Sequence, residues 1–138
     1  MSFDQTLTTS FKQEVLLGVH DLATDTLKMA LYTAAADLNA NTTVYGTANE
    51  VVGSGYSAGG LVLTGATVLT SGTTAYVDFN DAVWNPASFT ARGALIYNFS
   101  KGNKSIAVLD FGSDKTATTS FTVQMPANTA NAALIRFA

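Results

Sequence analysis

The chain of 138 residues has no cysteine, one histidine, one tryptophan and two prolines, and only 12% of its residues are charged. Without cysteine there are no disulfides and no thiolate metal sites. A lone histidine, His20, cannot assemble a metal centre, and it belongs to no recognisable nucleophile–base pattern. The seven Lys and Arg residues are scattered and the net charge is −3, so the basic patch that a nucleic-acid backbone requires is missing. No apolar run approaches the roughly 20 residues of a membrane helix. The opening Met1-Ser2-Phe3-Asp4-Gln5 lacks the charged and apolar regions of a signal peptide. These absences predict a soluble product made in the cytoplasm, with no cofactor, no metal, and neither nucleic acid nor membrane as partner.

What is present is apolar and neutral. Hydrophobic residues make up 47% of the chain, and Thr, Ser, Asn and Ala fill positions that charges occupy in an average protein, where about 25% of residues are charged. A chain of this length suits one domain with a core of its own. A surface with few charges does little to repel further protein copies, which favours packing against partners.

The organising stretch runs from Phe89 to Phe111. Two apolar runs rich in β-formers, Phe89–Asn98 and Ser105–Phe111, flank the polar break Ser100-Lys101-Gly102-Asn103-Lys104. That is the signal of a β-hairpin. Alternation groups Phe89, Ala91, Leu95 and Tyr97 on one face, and sets Ile106 and Val108 opposite Ala107, Leu109 and Phe111. Apolar residues on both faces place the hairpin inside a sheet covered on both sides.

Residues 1–9 are polar and Thr-rich and predict an arm, loose or reaching a neighbouring subunit. Ser10-Phe11-Lys12-Gln13 matches a capping box, and Phe11, Val15, Val19 and Leu22 form one helical stripe. A helix over 10–23 follows, with Gly18 allowing close packing on the sheet and His20 near its C-terminal end. Leu27, Met29 and Leu31 alternate in a strand. Residues 34–49 read as a long loop, a kind that is uncommon unless it contacts something. Further strands are expected over Leu61–Thr70, Thr74–Phe79, Thr119–Met125 and Ala132–Phe137, with Pro126 ending the third of these. The expectation is an all-β, jelly-roll-like antiparallel β-sandwich of about eight strands with one N-terminal helix, occupying 10–138.

Sites of chemistry are harder to find. Gly53-Ser54-Gly55-Tyr56-Ser57-Ala58-Gly59-Gly60 is Gly-rich, but no Lys-Ser or Lys-Thr follows and the next segment is a strand, so it reads as a flexible turn rather than a phosphate cradle. Asp78 with Asp81, and Asp110 with Asp114, flank strand ends. Paired carboxylates serve glycoside hydrolysis, yet Asp at strand ends usually caps turns. No enzymatic activity and no catalytic residue are expected. Trp84, beside Pro86, either caps the core or marks a contact. Arg92 lies in an apolar strand and either pairs with an Asp such as Asp110 or meets a neighbouring subunit. The residues singled out as candidate subunit contacts are Phe3, Tyr45, Tyr56, Trp84 and Arg92.

Three blocks carry a resemblance. Ser10–Asp21 with Asp25–Thr33, Gly55-Tyr56-Ser57-Ala58-Gly59-Gly60, and Thr90–Asn98 resemble a family of small tailed-bacteriophage virion structural proteins, over nearly the whole chain. The nearest role the resemblance implies is a capsid cement, or decoration, protein with a jelly-roll-like fold. Such proteins sit outside the shell of the major capsid protein as dimers or trimers and bridge its subunits. The resemblance therefore implies a virion location, the major capsid protein of the same phage as partner, self-association as homodimer or homotrimer, and no catalytic residues. The alternatives are a tail or fibre component and a carbohydrate-binding β-sandwich on the virion surface; the latter calls for exposed aromatics among Trp84, Tyr45 and Tyr56.

Overall fold

Strand β7 (Phe89–Asn98) and strand β8 (Lys104–Ala117) form the predicted hairpin. The chain reverses through a 3-10 turn at Phe99–Lys101, then through Gly102 and Asn103, both left-handed with φ of 67° and 63°. Glycine adopts that conformation freely and asparagine more readily than most residues, so the Gly-Asn pair sets the turn. The computed structural model describes residues 3–126, 129 and 131–137.

Around the hairpin lie β1 (Thr6–Leu7), α1 (Thr9–Leu16), β2 (Leu27–Tyr32), β3 (Leu61–Val62), β4 (Thr67–Ser71), β5 (Thr74–Asp78), β6 (Ala82–Trp84), β9 (Phe121–Val123) and β10 (Ile135–Phe137). A five-stranded sheet runs in the order β1-β8-β7-β2-β3, a three-stranded sheet in the order β10-β5-β4, and β6 pairs with β9. Every pairing of these strands is antiparallel. The fold is the all-β antiparallel sandwich with one N-terminal helix that the strand pattern predicts, with ten strands among the described residues where about eight are expected. Among the described residues no helix is long and apolar enough to cross a membrane.

Both faces of the central hairpin are buried. One face turns Met29, Leu31, Ala94, Ile96, Ile106 and Leu109 toward Val77, Trp84, Phe121 and Ile135 of the smaller sheets, forming the main core. The opposite face presents Ala30, Tyr32, Leu95, Tyr97 and Val108, covered by Phe3, Ala36, Leu38 and Tyr45. Each fully buried Leu, Ile or Val contributes about 1.5–3 kcal/mol, and the two layers draw on the same sheet.

Plain alternation fails at two irregularities. The β7–β8 register shifts between Ala91 and Gly93 and again between Ile96 and Tyr97. Phe89 and Ala91 face the main core, whereas Leu95 and Tyr97 face the other layer. An extra residue at Ile106 likewise puts Ile106 and Ala107 both in the main core, with Val108 alone behind them. A bulge reverses every side chain beyond it, which alternation cannot anticipate.

The helix is shorter than predicted and differently capped. Thr8, not Ser10, is the N-cap: its Oγ1 accepts from Phe11 N at 3.3 Å and from the Ser105 hydroxyl at 2.9 Å. Thr8 N also donates to Ile106 O at 2.9 Å, so tertiary pairing with β8 fixes where the helix starts. The helix closes in a Schellman motif, with Gly18 N donating to Val15 O and Val19 N to Glu14 O around a left-handed Gly18. Gly18 therefore ends the helix instead of allowing close packing, and a Cβ there meets nothing within 4 Å. Val19, His20 and Leu22 lie beyond the helix.

The predicted arm and loops are fastened down. Thr6 and Leu7 pair with Val108 and Ala107 on β8, and Phe3 bridges Leu38, so residues 3–9 belong to the fold; Met1 and Ser2 lie outside the described residues. The 34–49 loop lies over the outer face of the sheet through Ala36 and Leu38. The Gly-rich run is not a free turn either. Ser54 bridges Ser88, and Gly60 lies so close to β2 that a Cβ would stand 1.8 Å from Met29 O. Leu61–Thr70, read as one strand, breaks at a left-handed Gly65 into β3 and β4, and Leu69 ends up exposed.

These two glycines make a paired test. Gly18→Ala meets only backbone strain, about 1–2 kcal/mol. Gly60→Ala adds a collision with the β2 backbone to the same strain and is expected to lose at least twice as much stability. Urea unfolding midpoints of the two variants check the ordering.

Candidate functional site

The aromatic side chains proposed as contacts turn inward. Phe3 and Trp84 are buried, the first under the outer face of the sheet and the second in the main core. Trp84 stacks on Tyr56 and meets Phe121 edge-on, with centroids 6.2 and 6.1 Å apart. Tyr45 stacks on Tyr97 at 4.6 Å. Burial removes Phe3 and Trp84 from any subunit contact, and internal hydrogen bonds hold Tyr45 and Tyr56. Arg92 is half-buried, its Nε 3.4 Å from Asp110 Oδ1, which is the pairing within the fold anticipated as one of its two options.

What gathers these tyrosines is a residue without a sequence signal, Glu50, only 8% exposed. Its Oε1 accepts from Tyr45 OH at 2.7 Å; its Oε2 accepts from Tyr56 OH at 2.5 Å and from Gly59 N at 2.8 Å. Tyr56 OH also accepts from Leu31 N at 2.9 Å, and Tyr97 OH donates to Gly59 O at 2.6 Å. A buried carboxylate demands such donors. Here they come from both loops, and the Leu31 amide on Tyr56 OH and the Tyr97 hydroxyl on Gly59 O tie the group to β2 and β7, so the cluster clamps the 34–49 and 53–60 segments onto the sheet. Burial and the neighbouring carboxylate push the Tyr97 phenol up to about 12 and hold Tyr32, Tyr45 and Tyr56 higher still.

A second polar network closes the end of the helix. His20, its ring wholly buried, lies 2.9 Å from Glu14 Oε1 through Nε2 and 2.9 Å from Asn98 Nδ2 through Nδ1. Asn98 Nδ2 also donates to Asp25 Oδ2 at 2.8 Å, and Lys101 Nζ reaches Asp25 Oδ1 at 3.1 Å. Because the Asn98 amide donates to both neighbours, Nδ1 accepts and Nε2–H donates to Glu14. Burial raises the Asp25 carboxyl, but Asn98, the Asp21 amide and Lys101 together bring it below its ordinary value. With both ring nitrogens engaged, His20 presents neither to a substrate.

The accessible features lie elsewhere. A cleft of about 470 Å³ runs between the α1–β2 connection and the β10-β5-β4 sheet, lined by Val15, Leu22, Val68, Val77, Ile135 and Phe137 among others. Its rim is apolar and open. Leu16 and Leu17, next in the chain to Val15, are 87% and 71% exposed, and Val68 and Phe137 are half-exposed. Every residue of β4 is exposed, and among the described residues its outer edge carries no partner strand. Asp78 and Asp81 line one polar recess with Thr67 and Asn80, whereas Asp110 goes to Arg92 and Asp114 is exposed.

No protein-family model, no curated protein and no solved structure matches the chain.

The tyrosine cluster predicts how stability falls in alkali. Unfolded tyrosine titrates near 10, and the folded phenols titrate above it. Below pH 10 both states keep their protons and the stabilisation is intact. Above pH 10 the unfolded chain loses protons that the folded chain retains, so stability falls by about 1.4 kcal/mol per pH unit for each phenol involved. Urea midpoints between pH 9 and 12 check this.

Proposed function

We propose that this protein is a non-enzymatic structural component of a tailed-phage virion, a cement or decoration protein that binds outside the major capsid protein shell and stabilises it. The observation that carries the reading is exposed apolar surface: Val68 and Phe137 line an open cleft at the sheet edge formed by β4, and Leu16 and Leu17 stand exposed at the end of the helix. Proteins that work alone guard sheet edges with charge, proline or a covering element, and exposed apolar patches mark interaction surfaces. β4 reads Thr67-Val68-Leu69-Thr70-Ser71, with no such guard.

The remainder of the chain suits that role. The low charge weakens repulsion between neighbouring copies. The loops are locked to the sheet, so contact surfaces are preformed and little ordering entropy is lost on docking. Each contact can be weak, because many copies engage one shell and a homodimer or homotrimer engages it at several points. A tail or fibre component would use the same surface and differs in copy number, hundreds for a shell against a few for a tail. The sugar-binding alternative has less support, because Trp84 is buried and the half-buried Tyr45 and Tyr56 stack and hydrogen-bond within the fold.

The test is reconstitution on particles of the parent phage assembled without this protein. Added protein is expected to bind saturably and to raise the temperature at which the particles open. Leu17→Glu and Val68→Lys, at exposed positions, are expected to weaken binding at least tenfold while the unfolding midpoint moves by no more than about 0.5 kcal/mol. Absence of binding, with particles equally robust with and without the protein, defeats the reading; binding confined to the tail assigns it to the alternative.

A further inference from the structure

The polar recess between the end of β5 and the start of β6 combines features that a turn cap does not need. It measures about 400 Å³ and takes in Asp78, Asp81, Asn80 and Thr67. Each carboxylate has one oxygen fixed by a backbone amide: Asp78 Oδ1 accepts from Phe79 N at 2.9 Å, and Asp81 Oδ1 from Met125 N at 2.7 Å. Asp78 is only 2% exposed, and its Oδ2 is buried with no hydrogen-bond partner. The Leu134 amide faces that carboxylate and pulls against its protonation, yet no hydrogen bond to Oδ2 closes. The ion pairs of the described residues are made by other acids, Glu14, Asp25 and Asp110.

A buried, unpaired carboxylate oxygen beside a second carboxylate is costly unless a proton or a cation joins it. The other donors are of matching kind. Asn80 Nδ2 is engaged with Thr64 Oγ1 at 3.3 Å, which leaves the amide oxygen free, and Thr67 Oγ1 spends its proton on Gly65 O at 3.3 Å, which leaves its lone pairs free. Carboxylate, amide and hydroxyl oxygens with no nitrogen or sulfur select a hard cation, and flexible coordination completed by water suits calcium better than magnesium. Gly65, left-handed, lies against the Asn80 side chain so closely that a Cβ would stand 2.5 Å from it, which seats that amide.

We propose that this recess is a calcium site, with Asp78 and Asp81 as the charged ligands and Asn80 Oδ1 and Thr67 Oγ1 as neutral ones. Through the Met125 contact of Asp81 the ion ties the β5–β6 connection to the chain leaving β9. The site is independent of the capsid reading and stands or falls without it.

The experiment uses the full chain, stripped with chelator, and follows thermal unfolding and titration heat with calcium chloride and magnesium chloride up to about 10 mM, above the weakest range of protein calcium modules. Calcium is expected to bind once per chain and, at a hundredfold excess over Kd, to raise the melting temperature by roughly 5–10 °C; magnesium should do distinctly less. Asp81→Asn keeps the backbone contact acceptor and removes the charge, and should abolish the calcium response while the ion-free protein stays folded. Asp78→Asn should also abolish it, with an ion-free melting temperature at or above that of the parent. No response of the parent to calcium, an equal response to magnesium, or an unchanged response in Asp81→Asn each overturns the proposal. If Asp78→Asn does not fold, Asp81→Asn alone decides.

Discussion

Everything in this structure is arranged around a hairpin that must be covered twice. Leu95, Tyr97 and Val108 on one side and Ala94, Ile96, Ile106 and Leu109 on the other cannot be left wet. The smaller sheets cover one side with Val77, Trp84, Phe121 and Ile135. The other side has no sheet to cover it. Loop and N-terminal segment do that work, and irregular chain can lie on a sheet only if its polar groups find partners. That requirement explains the length of the 34–49 segment, the pairing of β1 with β8, and the Glu50 cluster.

Glu50 shows how a single charge organises irregular backbone. Its two oxygens collect donors from Tyr45, Tyr56 and the amide of Gly59, and Tyr97 returns a hydrogen bond to the carbonyl of that same glycine. Neutral groups make weaker bonds than ionised ones, so a carboxylate secures two loops where an amide would hold them less firmly. The glycines of the 53–60 run have a matching purpose. Gly55 and Gly60 admit the backbone of neighbouring segments at distances no side chain permits. The run is Gly-rich because it is tightly applied, not because it is loose.

The hairpin was legible because its β-branched and aromatic residues flank a break of Gly, Asn and Lys, and the strand at Leu27–Tyr32 because Leu27, Met29 and Leu31 alternate; the all-β class followed from such segments. The helix was legible in place but not in extent. Val19 and Leu22 continue the stripe begun by Phe11 and Val15, yet Gly18 turns left-handed and sends them onto the body by another route. Faces were legible only up to the bulges beside Gly93 and at Ile106. Four of the candidate contacts, Phe3, Tyr45, Tyr56 and Trp84, are aromatic, a character that marks cores as readily as surfaces, and most of the large exposed apolar residues are aliphatics such as Leu16, Leu17 and Val68. Glu50 left no signal, since one acid ahead of Val51-Val52 has no period or motif; only the meeting of distant tyrosines reveals it. That Asp78 and Asp81 line one recess has no sequence signal, since the pair falls at a strand end where Asp ordinarily caps a turn.

The clasp between Thr8 and β8 spans a separation of 97 positions. At synthesis rates of about 5–20 residues per second, the Thr8 segment waits roughly 5–20 s before its partners at Ser105 and Ile106 exist. Until then Phe11 and the threonines beside it have nowhere to settle, and the helix, only 8 residues long, is too short to persist alone. Birth order and assembly order are thus opposed along this stretch: Thr8 and α1 are made well before the strand that fastens them, and a nascent chain that stalls before the hairpin emerges leaves them bare.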